Sequence, residues 1–182
     1  MAAQIERQPL PCIESFAKDV KELDPPGFRA RHGGAFLLMH GSDAQLSRPG
    51  QLPQWTVVSD DVQGYHGARD LAKNYVVIAL KQRRPSRLGH IAVGRAETCD
   101  LVVPDTSVSL YHAFFREEQD GGFVLQDAGS KNGTWVNDQR VPAQGKGPPA
   151  RVESGSEVRI GNMEFLFLGC NEFRELISKL VN

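Results

Sequence analysis

At 182 residues and a formal net charge of −1, the chain is long enough for one domain with an extension. It is too evenly charged to draw nucleic acid or an anionic membrane through a global field. Its three cysteines, Cys12, Cys99 and Cys170, are odd in number and widely spaced, with no CxxC pair. That pattern argues against a disulfide framework and a structural zinc site and fits a reducing compartment.

The first twenty residues mix acids, bases and prolines without the continuous apolar segment that export or membrane insertion requires, so a soluble cytoplasmic protein is expected. Ile13, Phe16, Ala17, Val20 and Leu23 then recur at helical spacing and predict an amphipathic helix over about 12–24, stopped by Pro25-Pro26-Gly27. Ala35 to Met39 reads as a strand, Gly41 to Pro53 as a loop and Gln54 to Ser59 as a second short strand, while Asp60 to Asn74 gives no clear pattern. From Tyr75 the texture becomes short β-rich runs: YVVIALK, HIAVGR, DLVV, AFFREE, FVLQDA, TWVNDQRV, ARVES, EVRIG and MEFLFLG. Closely spaced strands separated by Gly, Asn, Asp and Pro are the pattern of an all-β sandwich, and Asp120-Gly121-Gly122 predicts a tight hairpin between two of them. Lys81, Arg83, Arg84 and Arg87 form a basic turn, read as a solvated loop. Phe173, Leu176, Ile177 and Leu180 mark the apolar stripe of a short C-terminal helix expected to pack on the sandwich.

Three polar motifs close or open predicted strands between Gly94 and Asn137. Gly94-Arg95 ends IAVGR, Ser109-Leu110-Tyr111-His112 precedes AFFREE, and Ser130-Lys131-Asn132-Gly133-Thr134 precedes TWVNDQRV. An arginine fork, a serine hydroxyl and an asparagine amide on loops suit recognition of an anion flanked by a backbone. Each has a plainer use. Arg95 could pair with Asp100 or Asp105, Ser109 could cap its own turn, Asn132-Gly133 is turn chemistry whatever the function, and Lys131 could be solvated.

The ordered set of motifs, over about Tyr75 to Gly169, resembles the forkhead-associated (FHA) domain, as found in short bacterial FHA proteins. The resemblance implies an all-β fold, an FHA-like two-sheet β-sandwich with a short C-terminal helix and an N-terminal extension containing a helix and short strands. It divides the chain into an extension over 1–74, the FHA domain over 75–169 and the C-terminal helix over 170–182. It implies a non-catalytic phosphothreonine-peptide reader with no cofactor and no metal, acting as a signalling or assembly adaptor downstream of a Ser/Thr kinase. The partner is then a phosphothreonine-containing protein, such as a kinase or its substrate.

By the same resemblance Arg95 and Ser109 bind the phosphate, Ser109 through both hydroxyl and backbone. Asn132 bonds the peptide main chain, and Ser130 and Lys131 flank the pocket. Gly94, His112, Gly133, Thr134 and Asn137 support the loops, Asn137 with scope for peptide contact, and His112 does so through buried hydrogen bonds. Ser107 is set aside, since the spacing to His112 selects Ser109. Leu110 departs from the pattern, because many family members carry a hydrogen-bonding residue directly after the serine. It motivates an alternative, a phosphate-independent structural interaction protein on a degenerate FHA fold. A phosphohydrolase reading finds no P-loop, GxSxG or HExxH in the chain.

Overall fold

In the structure, a computed structural model, residues 13–40, 75–83 and 89–180 are described. The loop expected over Gly41 to Pro53, the strand over Gln54 to Ser59, the segment Asp60 to Asn74, and Arg84 and Arg87 of the basic turn lie outside the described residues.

The N-terminal helix is more divided than its periodicity predicts. A 3-10 turn, Ile13–Phe16, leads into a short α-helix, α1 (Ala17–Glu22). Pro25 ends that helix and also begins another, α2 (Pro25–His32), which the sequence reading did not anticipate. Proline lacks the N–H that a helix interior needs, but the first turn of a helix has no use for one. Asp24 supplies the cap, its carboxylate accepting the Gly27 amide at 2.9 Å.

Among the described residues eleven strands follow: β1 (Ala35–His40), β2 (Tyr75–Ala79), β3 (His90–Gly94), β4 (Leu101–Val102), β5 (Ala113–Glu117), β6 (Phe123–Asp127), β7 (Thr134–Val136), β8 (Gln139–Arg140), β9 (Ala150–Val152), β10 (Glu157–Ile160) and β11 (Met163–Gly169). Helix α3 (Cys170–Leu180) completes the described chain. The strands form two sheets, one ordered β2-β1-β11-β10-β7-β8 and one ordered β4-β3-β5-β6-β9. All named pairs are antiparallel except β3 with β4, where Val93 lies opposite Leu101. The fold is the expected two-sheet β-sandwich.

Two details refine the reading. TWVNDQRV is a hairpin rather than one strand: Asn137 and Asp138 take positive φ, at 47° and 62°, and turn β7 into β8. In addition, the six-stranded sheet takes β1 from residues placed in the extension by the division at 75. β1 pairs with β11 on one side and β2 on the other. Its apolar run is continuous because both faces are covered. Ala35, Leu37 and Met39 join Val93, Phe115, Leu125 and Phe167 between the sheets, whereas Phe36 and Leu38 face the helices. There Phe36 stacks on Phe173 with ring centroids 3.9 Å apart, and Phe16 meets Phe173 edge-on at 5.3 Å. The stripe of α3 thus packs on the outer face of the six-stranded sheet, together with α2 and the 3-10 turn.

Candidate functional site

The sheet register explains why three motifs distant in sequence meet. Val93 lies opposite Ala113, and Ala113 opposite Asp127, so the end of β3, the start of β5 and the end of β6 share one edge of the sandwich. The loops 95–100, 103–112 and 128–133 all emerge there.

His112 joins them. It is fully buried, its Nδ1 accepts the Ser109 amide at 2.9 Å, and its Nε2 lies 2.9 Å from the Gly133 carbonyl. An Nδ1 that accepts an amide leaves the proton on Nε2, where the Gly133 carbonyl receives it, so the ring ties the 103–112 loop to the 128–133 loop.

Gly94 permits the second close approach. A methyl on its Cα would collide with the Leu110 carbonyl, which accepts the Ala96 amide at 3.0 Å and the Cys99 thiol at 3.3 Å. Arg95 follows. Its amide donates to the Ser109 carbonyl at 2.9 Å, and its Nε donates to the Val108 carbonyl at 3.2 Å. The side chain is exposed, and no carboxylate among the described residues pairs with it. Asp100 instead accepts the Arg83 and Ala92 amides, and Asp105 the Ser107 amide and hydroxyl. The guanidinium therefore keeps its terminal N–H groups for a ligand.

Ser109 presents only its hydroxyl, a correction to the expectation that its backbone also binds. The amide is taken by His112, while Oγ accepts the Lys131 amide at 3.1 Å and retains its own proton to donate. Ser107 is fully engaged, its Oγ accepting the Asn162 amide at 2.9 Å while donating to Asp105. Asn132 donates through Nδ2 to the Ser107 carbonyl at 2.7 Å and remains exposed beside the exposed Lys131.

Ser130 is not brought to the site as a ligand donor. Its hydroxyl donates to Asp127 Oδ2 at 2.6 Å and accepts the Gly133 amide at 2.9 Å, so no proton is left for a phosphate. It belongs with the loop supports. Gly133 has φ +86°, and a Cβ there would lie 2.7 Å from the Trp135 ring. Thr134 is buried, with Oγ1 donating to Asp127 Oδ2 at 2.7 Å. Asn137 lies at the far end of β7. Its Oδ1 accepts the Glu157 amide at 2.9 Å, so it supports the start of β10 rather than the site, and the peptide contact considered for it has no geometric basis.

Asp127 is the residue that the motif reading missed. Buried at the end of β6, it accepts the Gly129 and Ser130 amides as well as the two hydroxyls. Burial pushes its carboxyl up, but the Ser130 and Thr134 hydroxyls and the two amides outweigh that effect and hold it below its ordinary value. The available signal was an aspartate ending a strand three residues before a serine, the spacing of an Asx-type turn.

A carboxyl depressed in the folded state contributes stability above its unfolded pKa, and that contribution is lost as pH falls through the folded value. Asp127→Asn, which puts an amide donor against hydrogen-bond donors, is therefore expected to cost about 1–3 kcal/mol at neutral pH. The gap to the wild type should narrow as pH falls below about 4. Urea unfolding of both proteins across pH would show it, and a constant gap would remove Asp127 as the acid-sensitive group.

No group of three His, Cys, Asp or Glu among the described residues could hold a metal ion, and no helix in them is long and apolar enough to cross a membrane. An apolar groove lies elsewhere, on the outer face of the six-stranded sheet. It has a volume of about 280 Å³ and is lined by Trp135, Leu166, Leu168 and others, but by no residue of the three loops. The candidate site is a rim of donors on loops, not a cavity.

The family model of the FHA domain matches residues 91–161, the span that holds all three loops. Among curated proteins, the ABC transporter ATP-binding/permease protein Rv1747 of Mycobacterium tuberculosis is 35% identical over 102 residues, 53% of this chain and 11% of that protein. The oxoglutarate dehydrogenase inhibitor of Corynebacterium diphtheriae is 41% identical over 75 residues, 41% of this chain and 48% of that protein. The glycogen accumulation regulator GarA of Mycolicibacterium smegmatis is 39% identical over 77 residues, 42% of this chain and 44% of that protein. The chain thus spans less than half the length of each of these relatives. Of solved structures, the FhaA FHA domain complexed with the intracellular domain of Rv3910 aligns with a TM-score of 0.40 and 26% identity, covering 50% of this chain and 86% of that one.

Proposed function

We propose that the chain is a non-catalytic, cytoplasmic reader of phosphothreonine in a protein partner, an adaptor in signalling or assembly downstream of a Ser/Thr kinase. The observation that carries this reading is the pair of uncommitted donors on fixed loops. The Arg95 guanidinium is held by Nε alone, and the Ser109 hydroxyl still has its proton. Phosphothreonine brings about −1.5 to −2 charge and three strong acceptors, the complement of such a pair. Lys131 adds a nearby positive charge and Asn132 an exposed amide for the peptide main chain. The dehydrogenase-inhibitor and glycogen-regulator roles named for relatives are those proteins' own. The FHA match supports the phosphothreonine reading here and leaves the partner to experiment.

Titration of the chain with matched phosphorylated and unphosphorylated threonine peptides tests the proposal. Binding confined to the phosphorylated form, without release of phosphate, is the expected result. Leu110, which cannot donate, favours a second reading in which partners dock without regard to phosphate, and equal binding of both forms would establish it.

Leu110→Arg makes the site's own deficit measurable. The side chain is exposed, so the substitution leaves the core untouched and places a guanidinium beside Ser109. Affinity for the phosphorylated peptide should rise by up to about 1.5–3 kcal/mol before the entropy of fixing the side chain is subtracted. The gain should be absent for the unphosphorylated peptide and shrink as salt rises. Equal gains for both peptides would mean nonspecific charge attraction.

A further inference from the structure

Among the described residues the exposed large hydrophobic side chains are Leu110, at 59%, and Tyr111, at 47%. Single exposed apolar residues are ordinary on any surface, but these are adjacent, and they directly follow the serine of the phosphate site.

The backbone that carries them is fixed. The Leu110 carbonyl is gripped by the Ala96 amide and the Cys99 thiol, and the His112 amide donates to the Val93 carbonyl at 2.9 Å. Gly94 lets that carbonyl approach β3 so closely. With the backbone already fixed, only side-chain rotamers have to be ordered when a ligand covers this pair, which lowers the cost of using their exposed area in binding.

Their position relative to Ser109 gives the surface a direction. Asn132 and Lys131 are tied to the serine loop through the Ser107 carbonyl and Ser109 Oγ, whereas the Leu110 carbonyl is bonded to the 95–100 loop. A peptide whose phosphate is held by Arg95 and Ser109 therefore meets polar groups on one flank and an apolar shelf on the other.

We propose that Leu110 and Tyr111 select, among phosphothreonine peptides, those with a large aliphatic or aromatic residue on the flank opposite Asn132. This inference rests on the phosphothreonine reading above. It also gives Leu110 a purpose: the residue that weakens the grip on phosphate supplies apolar contact to the neighbouring peptide residue, so affinity is drawn from sequence as well as from charge. The occupant is the continuation of the ligand already bound at the adjacent donors, since the shelf is contiguous with them.

The test uses the full chain and phosphothreonine peptides that differ at one position within three residues on either side, with Leu or Phe against Ser. On one flank only, the apolar peptide should bind about tenfold tighter, a difference of about 1.4 kcal/mol. The combined substitution Leu110→Ser with Tyr111→Ser, checked for folding by circular dichroism, should bring that ratio to about one. Phosphate-dependent binding with a ratio near one in the wild type would overturn the shelf and leave the phosphothreonine reading standing, and this arm needs no variant. A ratio that survives the double substitution would place the selectivity elsewhere and also overturn the shelf. A change in oligomeric state by light scattering, with the peptide ratio unaltered, would make the pair a contact between copies instead. Failure of every phosphorylated peptide to bind would sink the phosphothreonine reading and the shelf together.

Discussion

Arg95→Ala is expected to lower affinity for a phosphothreonine peptide by about 10- to 150-fold, the worth of a charge-assisted hydrogen bond of about 1.5–3 kcal/mol. The fold should not change. Arg95 is exposed, pairs with no carboxylate among the described residues, and gives the loop only its Nε contact with the Val108 carbonyl. Its amide bond to Ser109 survives in alanine. Calorimetric titration and circular dichroism on the same preparation separate binding from folding. A folded variant with wild-type affinity would show that the phosphate is not held where the loops converge.

His112→Ala should damage folding and binding together. Truncation leaves the Ser109 amide without its acceptor, deprives the Gly133 carbonyl of one of its two donors, and opens a cavity where a fully buried ring stood. Unsatisfied buried groups cost about 1–3 kcal/mol each and the lost packing adds to that, so a destabilisation of about 2–5 kcal/mol is expected. Because the ring ties the 103–112 loop to the 128–133 loop, the spacing of the Ser109 hydroxyl from Asn132 should be lost as well. Thermal unfolding with peptide titration would decide. A variant that melts like the wild type and yet fails to bind would make His112 a direct ligand contact.

The sequence made the sandwich legible because each strand is short and bounded by turn residues, and because the motifs fall at strand ends, where a sheet brings distant residues together. Ser109 was separable from Ser107 by its distance to a histidine, and the structure shows why: Ser107 is bound up with Asp105 and Asn162. What spacing could not reveal is how each donor is already used. Ser130 looks as available as Ser109, yet its proton belongs to Asp127, and the Ser109 amide belongs to His112. Both facts depend on which buried acceptor lies within 3 Å, and periodicity does not encode that. Asn137 was drawn toward the site by its place in a motif, but the intervening strand carries it to the other end of β7. Helix α2 was hidden by the prolines that mark its start, since the same residues end the helix before it.

The position of β1 has a bearing on how the molecule keeps to itself. A strand at the rim of a sheet offers a row of open amides and carbonyls, which is a template for foreign chains. β1 fills the gap between β2 and β11, leaving neither with an open row on that side. It is itself sealed by Phe36 and Leu38 under the aromatic cluster of the helices. Remove residues 35–40 and two adjacent ladders are left unpaired, beside apolar side chains stripped of cover. β1, which lies outside the family match, thus covers the edge of β11 and hands the rim of the sheet to β2.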